Sequence, residues 1–198
     1  PGFFAIILAE RGYRVTAVDY TASMLKEARQ NAGTLAEKID FRQMNAEELL
    51  FADGSFDVLV TRNVTWNLHA PEKAYGHWTR VLAPGGLLLN FDANWYRYLW
   101  DEQAQLAHSA DRENLSRSDV RDETAGTDVD AMERIARQTP LSMRHRPDWD
   151  LRVLEKLGVQ AAADEQIWQQ VWTREERVNN ASTPMFLIEG RKPWLWEN

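Results

Sequence analysis

At 198 residues, 44% of them hydrophobic, the chain is sized for one α/β domain with a substantial core and is too apolar to be disordered. Its net charge of −7, with no run of Lys or Arg, opposes a phosphate backbone, so no nucleic-acid partner is expected. The absence of cysteine excludes disulfides and thiolate metal sites and fits a reducing, cytoplasmic setting; the longest apolar run, Phe3 to Ala9, is too short to cross a bilayer, so no membrane insertion is expected.

In chain order, Pro1-Gly2 leads directly into a helix with Phe4, Ile7 and Leu8 at helical spacing, stopped by Gly12. No strand and no initiator Met precede it, which is the pattern expected of a chain truncated at its N-terminus. A strand over Arg14 to Val18 ends on Asp19, and Thr21 is placed to cap a helix from Ala22 to Asn31. An acid at the carboxyl end of a parallel strand is where an α/β sheet holds the ribose of an adenosine-containing cofactor. A short helical piece at Leu35 to Lys38 and a strand at Ile39 to Gln43 follow.

Asp53-Gly54 is a turn signal, and Phe56 to Thr61 has the apolar, β-branched make-up of a strand buried on both faces. Pro71 and Glu72 open a helix whose apolar face is Ala74, Trp78, Val81 and Leu82; Pro84-Gly85-Gly86 ends it ahead of a strand at Leu87 to Phe91. This alternation predicts an α/β fold with a mostly parallel sheet and helices on both faces. The pattern then changes. Residues 94–146 begin with N-W-Y-R-Y-L-W, continue with dense mixed charge, and are too long for a simple connection, so they read as a helical lid. Within it Thr127 is the expected cap of a helix carrying Val129, Met132, Ile135 and Ala136. Residues 147–198 close the chain with a helix (Leu151, Leu154, Leu157, stopped by Gly158) and two strands, Ala162 to Val171 and Pro184 to Arg191. Four scattered histidines give no metal-ligand spacing, and no metal site is expected.

Pro1-Gly2, V-D-Y-T-A-S-M-L (18–25), N-A-E-E-L-L-F-A-D-G-S-F-D (45–57) and R-V-L-A-P-G-G-L-L-L (80–89) follow one another at a recognisable spacing. Together they resemble the class I S-adenosylmethionine-dependent methyltransferases, most closely those acting on small molecules; the likeness covers Pro1 to Phe91. The resemblance implies a Rossmann-like fold lacking its first strand, with residues 1–93 as the cofactor-binding half. It also implies S-adenosylmethionine as cofactor and methyl transfer to a small-molecule acceptor. Pro1 and Gly2 then correspond to the tail of the glycine-rich loop, and Asp19 to the ribose acid. Tyr20 either flanks the adenine or packs as a half-buried aromatic. Asn45-Ala46 stands where the family has an Asp and a small residue at the adenine edge; the amide can meet the adenine amino group through its carbonyl oxygen, or serve only its own turn. Asn63 falls beside the methionine part. Trp66 and Asn67 face the acceptor, with Trp95, Tyr96, Tyr98 and Trp100 as further pocket walls; simple core packing is the competing role for the aromatics. His69 and Asp92 are the candidate general bases. Two other functions stay open: a nicotinamide-dependent oxidoreductase, whose ribose Asp19 would serve equally well, and a non-catalytic cofactor-binding protein. The oligomeric state is not legible.

Overall fold

The structure, a computed structural model, describes residues 1–194. They form two compact units, Pro1–Asp53 and Gly54 onward.

In the first unit, α1 (Phe3–Glu10) enters from Gly2, β1 spans Val15–Asp19, α2 Ala22–Ala32, and β2 Ile39–Gln43 after a 3-10 stretch at Gly33–Lys38. β1 and β2 pair in parallel, Val15 opposite Ile39 and Asp19 opposite Gln43. Ala9, Val15, Ala32 and Ile39 form the core, joined by Ile6, Leu8, Ala17 and Phe41, so each element gives its apolar face to one small cluster. Gly2 has φ 83°, and a Cβ there would lie 3.1 Å from that of Ala28; α1 starts against α2 on a residue that must lack a side chain. Thr21 is the N-cap of α2 by position, but its side chain makes no capping bond. Its hydroxyl turns back to Asp19 instead.

The second unit holds β3 (Phe56–Arg62), α3 (Pro71–Val81), β4 (Leu82–Asp92), α4 (Glu102–Ser116), α5 (Val129–Ala136), α6 (Asp148–Lys156), β5 (Gln160–Asp164), α7 (Trp168–Val171), α8 (Arg174–Asn179) and β6 (Phe186–Arg191). The sheet order is β3-β4-β6-β5; β3 and β4 are parallel, while β6 runs antiparallel to both its neighbours. Tyr75, Trp78, Val81, Leu88, Leu154 and Ile188 are fully buried between helices and sheet.

Three local expectations change. α3 stops at Val81, and Pro84-Gly85-Gly86 lies within β4, where Gly85 N–H donates to Lys192 O at 2.9 Å. A Cβ on Gly86 would sit 2.7 Å from Ala83 O, so that segment requires glycine. The helix expected to start at Thr127 is capped by Asp128, which accepts from Ala131 N–H at 2.9 Å. The strand expected over Ala162 to Val171 is β5 followed by a turn and the short α7, because the apolar residues at its far end, Ile167, Trp168 and Val171, fall at helical spacing.

Candidate active site

Six of the expected cofactor residues fall in the first unit: Asp19, Tyr20, Asn45 and Ala46 at or just past the carboxyl ends of β1 and β2, and Pro1 and Gly2 ahead of α1. Asp19 ends β1. Its Oδ1 accepts from Thr21 N–H at 2.8 Å and from the Thr21 hydroxyl at 2.7 Å, which fixes the carboxylate and leaves Oδ2 to a ligand. Tyr20 is 71% exposed, so it is not the half-buried packing residue that was the alternative to an adenine contact. Its carbonyl accepts from Gln43 Nε2 at 3.0 Å, which ties the loop after β1 to the end of β2. Asn45 Oδ1 accepts from Glu47 N–H at 2.9 Å, an Asx turn that uses the oxygen expected to face an adenine; the amide NH2 is the group left outward. Ala46 is half-buried beside it. Pro1 O accepts from Asn31 Nδ2 at 3.1 Å, and Gly2 holds the left-handed turn into α1. An adenosine-bearing cofactor fits this donor and acceptor set: an open carboxylate oxygen, a side-chain-free helix entry and an outward amide.

In the second unit the chain leaves β3 through Asn63, whose φ of 56° makes it the non-glycine residue with left-handed backbone among the described residues. The conformation is held at both ends: Asn63 N–H donates to Phe91 O at 2.9 Å, and Asn63 O accepts from Trp66 Nε1 at 3.1 Å. Arg62, just before it, bonds Glu176, the residue that also closes the capping box of α8.

Asp92, one expected base, is a structural anchor instead. It is fully buried. Oδ1 accepts from Ala93 N–H at 2.9 Å and Trp95 Nε1 at 3.2 Å; Oδ2 accepts from Trp66 N–H at 2.9 Å and Arg146 Nη1 at 2.9 Å. Four donors fill the lone-pair sites of a carboxylate, so none remains for a substrate proton. Burial pushes its pKa up, against the opposing pull of the Arg146 guanidinium. Arg146 also forks onto Asp150, Nε to Oδ2 and Nη2 to Oδ1, both at 2.8 Å. Tyr75 donates its hydroxyl to Asp150 Oδ1 at 2.7 Å, accepts from Asn90 Nδ2 at 2.8 Å, and burial pushes its pKa up. Thr61 completes the chain on Asn90 Oδ1 at 2.8 Å. The end of the 94–146 segment is thereby pinned to β3, α3 and β4. One sequence signal for this existed: Arg146 and Asp150 lie four apart at a helix start.

His69 and Asn67 are exposed on the loop before α3. Trp66 and Tyr96 are brought together, ring centroids 5.3 Å apart; Tyr96 continues to Tyr98 at 6.0 Å, and Tyr98 stacks on His108 of α4 at 3.9 Å with planes 4° apart. Trp95 donates its Nε1–H to Asp92 Oδ1 at 3.2 Å. Trp100 is exposed. A cavity of about 180 Å3 opens beside the far end of the row, lined by Asn94, Arg97, Tyr98, His108, Thr183 and Phe186 among others. The sequence reading did not single out His108. Among the described residues no group of three or more His, Asp or Glu is placed to hold a metal, and no helix is long and apolar enough to cross a membrane.

Residues 1–90 match the methyltransferase-domain family. By sequence that segment is similar to methyltransferase domains, and the match covers less than half of the chain. Over 90 residues it is 38% identical to a demethylmenaquinone methyltransferase of Thermus thermophilus, covering 44% of this chain and 41% of that protein. Over 89 residues it is 40% identical to a ubiquinone/menaquinone biosynthesis C-methyltransferase of Pseudoalteromonas translucida, covering 43% of this chain and 35% of that one. The chain therefore spans less than half the length of the curated relatives it matches. Among solved structures, a methyltransferase-like protein of Bacillus halodurans superposes with TM-score 0.60 at 18% identity, covering 97% of this chain and 88% of its own. The phosphoethanolamine N-methyltransferase 2 of Haemonchus contortus, solved with S-adenosylhomocysteine, gives 0.60 at 14% identity, covering 96% of this chain and 46% of its own. The likeness in fold thus extends past residue 90, where the sequence match stops. The fold is the Rossmann-like α/β methyltransferase fold.

Proposed function

We propose that the protein transfers a methyl group from S-adenosylmethionine to a small-molecule acceptor in the cytoplasm. The observation that carries this reading is Asp19, which ends β1 inside the matched methyltransferase domain with one carboxylate oxygen fixed by Thr21 and the other open. Residues 1–53 would hold the cofactor: Asp19 Oδ2 toward the ribose hydroxyls, Tyr20 and Asn45-Ala46 toward the adenine, and Pro1-Gly2 at the entry of α1. When bound, S-adenosylmethionine supplies an electrophilic methyl on a sulfonium, so the protein's own task is to orient the acceptor and exclude water. Residues 94–146 serve as the lid over the acceptor, with Trp66 and Tyr96 the aromatic wall nearest the end of β3 and Asn67 and His69 at its rim.

The test is calorimetric titration of the protein with S-adenosylhomocysteine and, separately, with NAD. Binding of the first and not the second is expected. NAD binding alone would replace this reading with the oxidoreductase. A second reading has its own support: the [4+2]-cyclase SpnF shares the fold, with TM-score 0.58 and 16% identity. Cofactor binding without methylation of any acceptor in a broad panel would favour a reaction of another class, or a binding role, on this fold.

A further inference from the structure

The row Trp66, Tyr96, Tyr98, His108 ends at the 180 Å3 cavity, and three of the cavity's walls are rings: Tyr98, His108 and Phe186. An apolar cavity of about 150 Å3 takes benzene, so this one has room for a single substituted ring. Three of its polar side chains are committed elsewhere. Asn94 is bonded at both side-chain ends to the Arg146 backbone. Arg97 pairs with Asp101, and the Tyr98 hydroxyl donates to Glu133 at 3.0 Å. Glu165 at the exposed rim disfavours anions. Besides the small hydroxyls of Ser182 and Thr183, the open polar group is the imidazole of His108: it is stacked on one face, and among the described residues neither ring nitrogen has a hydrogen-bond partner.

We propose that this cavity is the acceptor seat, that it takes one hydroxylated aromatic ring, and that His108 receives the hydroxyl proton. The inference rests on the methyl-transfer reading above. In the proton step the ring's O–H bond breaks and its electron pair stays on oxygen. The proton forms an N–H bond on the imidazole, leaving a phenoxide beside an imidazolium. Burial, and then Arg112, push the His108 pKa down, which favours the neutral ring, the form with a nitrogen lone pair that can accept.

The test uses the full chain and two fluorinated ring probes that differ by the hydroxyl, 4-fluorophenol and fluorobenzene, followed by 19F NMR. The phenol is expected to bind about fivefold tighter, the range of one net hydrogen bond. The His108 Cε1–H signal should move as the phenol is added. His108→Phe keeps the stack on Tyr98 but removes the nitrogens, and should bring the two affinities together. Equal affinities in the unsubstituted protein, an unmoved His108 signal, or a preference that survives in folded H108F would each overturn the proposal. The His108 signal needs no variant, so the proposal stays testable if H108F does not fold. Calorimetry with S-adenosylhomocysteine separates the two levels. Binding of it without phenol binding sinks the acceptor seat alone, whereas its failure to bind sinks the methyl-transfer reading whatever the fluorine signal does.

Discussion

Asp19 and Asp92 are both acids at the end of a strand, yet their surroundings are opposite, and the difference lies in what their oxygens already hold. Asp19 keeps one oxygen open; Asp92 has four donors on two oxygens. Asp19 was readable from the local pattern, since strand, acid and helix follow within a dozen residues. The role of Asp92 was not, because its partner Arg146 is 54 residues away and only the fold joins them. Asp19→Ala should cost S-adenosylhomocysteine affinity roughly 10- to 100-fold, the worth of a charge-assisted hydrogen bond, with the fold intact by circular dichroism. Calorimetry reads the loss, and an unchanged affinity would move the ribose elsewhere. His108 gives a pH prediction. Arg112 and Asp111 flank it on α4, Glu133 faces it from α5, and Tyr98 covers its ring. Its folded pKa lies below the unfolded value of about 6.5. The unfolded chain therefore binds the proton more readily, so the stability that neutral His108 contributes is whole above about pH 6.5 and is lost as pH falls through the folded pKa. An NMR titration should place that pKa below 6.5, and Arg112→Gln should raise it; a wild-type value at or above 6.5 contradicts the assignment.

At the level of elements, most strands and helices of residues 1–91 were legible because each carries its own periodicity and stop signals. Residues 94–146 were legible only as a long insertion, not element by element: α4 is polar over most of its length, and what fixes it is the Asp101 cap and the packing of Tyr98 against His108, neither visible as a pattern. The far end of this segment is fixed by one buried cation between two buried carboxylates. Desolvation is costly for all three, and only the complete set of bonds offsets it. Arg146→Met should therefore destabilise the protein by roughly 3–5 kcal/mol, since it strands Asp92 and Asp150 without their partner. Urea denaturation measures this. A loss below about 1 kcal/mol would mean that the carboxylates protonate at little cost and that the ion pair is not what holds this segment.

For the whole molecule, the division at residues 53 and 54 separates two kinds of stability. The first unit rests on a two-stranded sheet and a cluster of small and medium side chains, whereas the second has four strands and the large buried Trp78, Tyr75 and Leu154. A two-stranded sheet is marginal unless helices cover it, so β1 and β2 should exchange their amide hydrogens well before β4 and β6. A ligand that binds only the folded form adds stability as its concentration rises, about 2.7 kcal/mol at a hundred times Kd. If Asp19, Tyr20 and Asn45 hold the cofactor, S-adenosylhomocysteine should slow exchange at residues 15–19 and 39–45 by up to about a hundredfold. A phenol in the cavity by His108 should instead slow α4 and the segment around Thr183. Hydrogen exchange with each ligand alone therefore reads two sites in one experiment. Protection of β4 and β6 by S-adenosylhomocysteine, with β1 and β2 unchanged, would show that the cofactor is not held where the strand-end acid points.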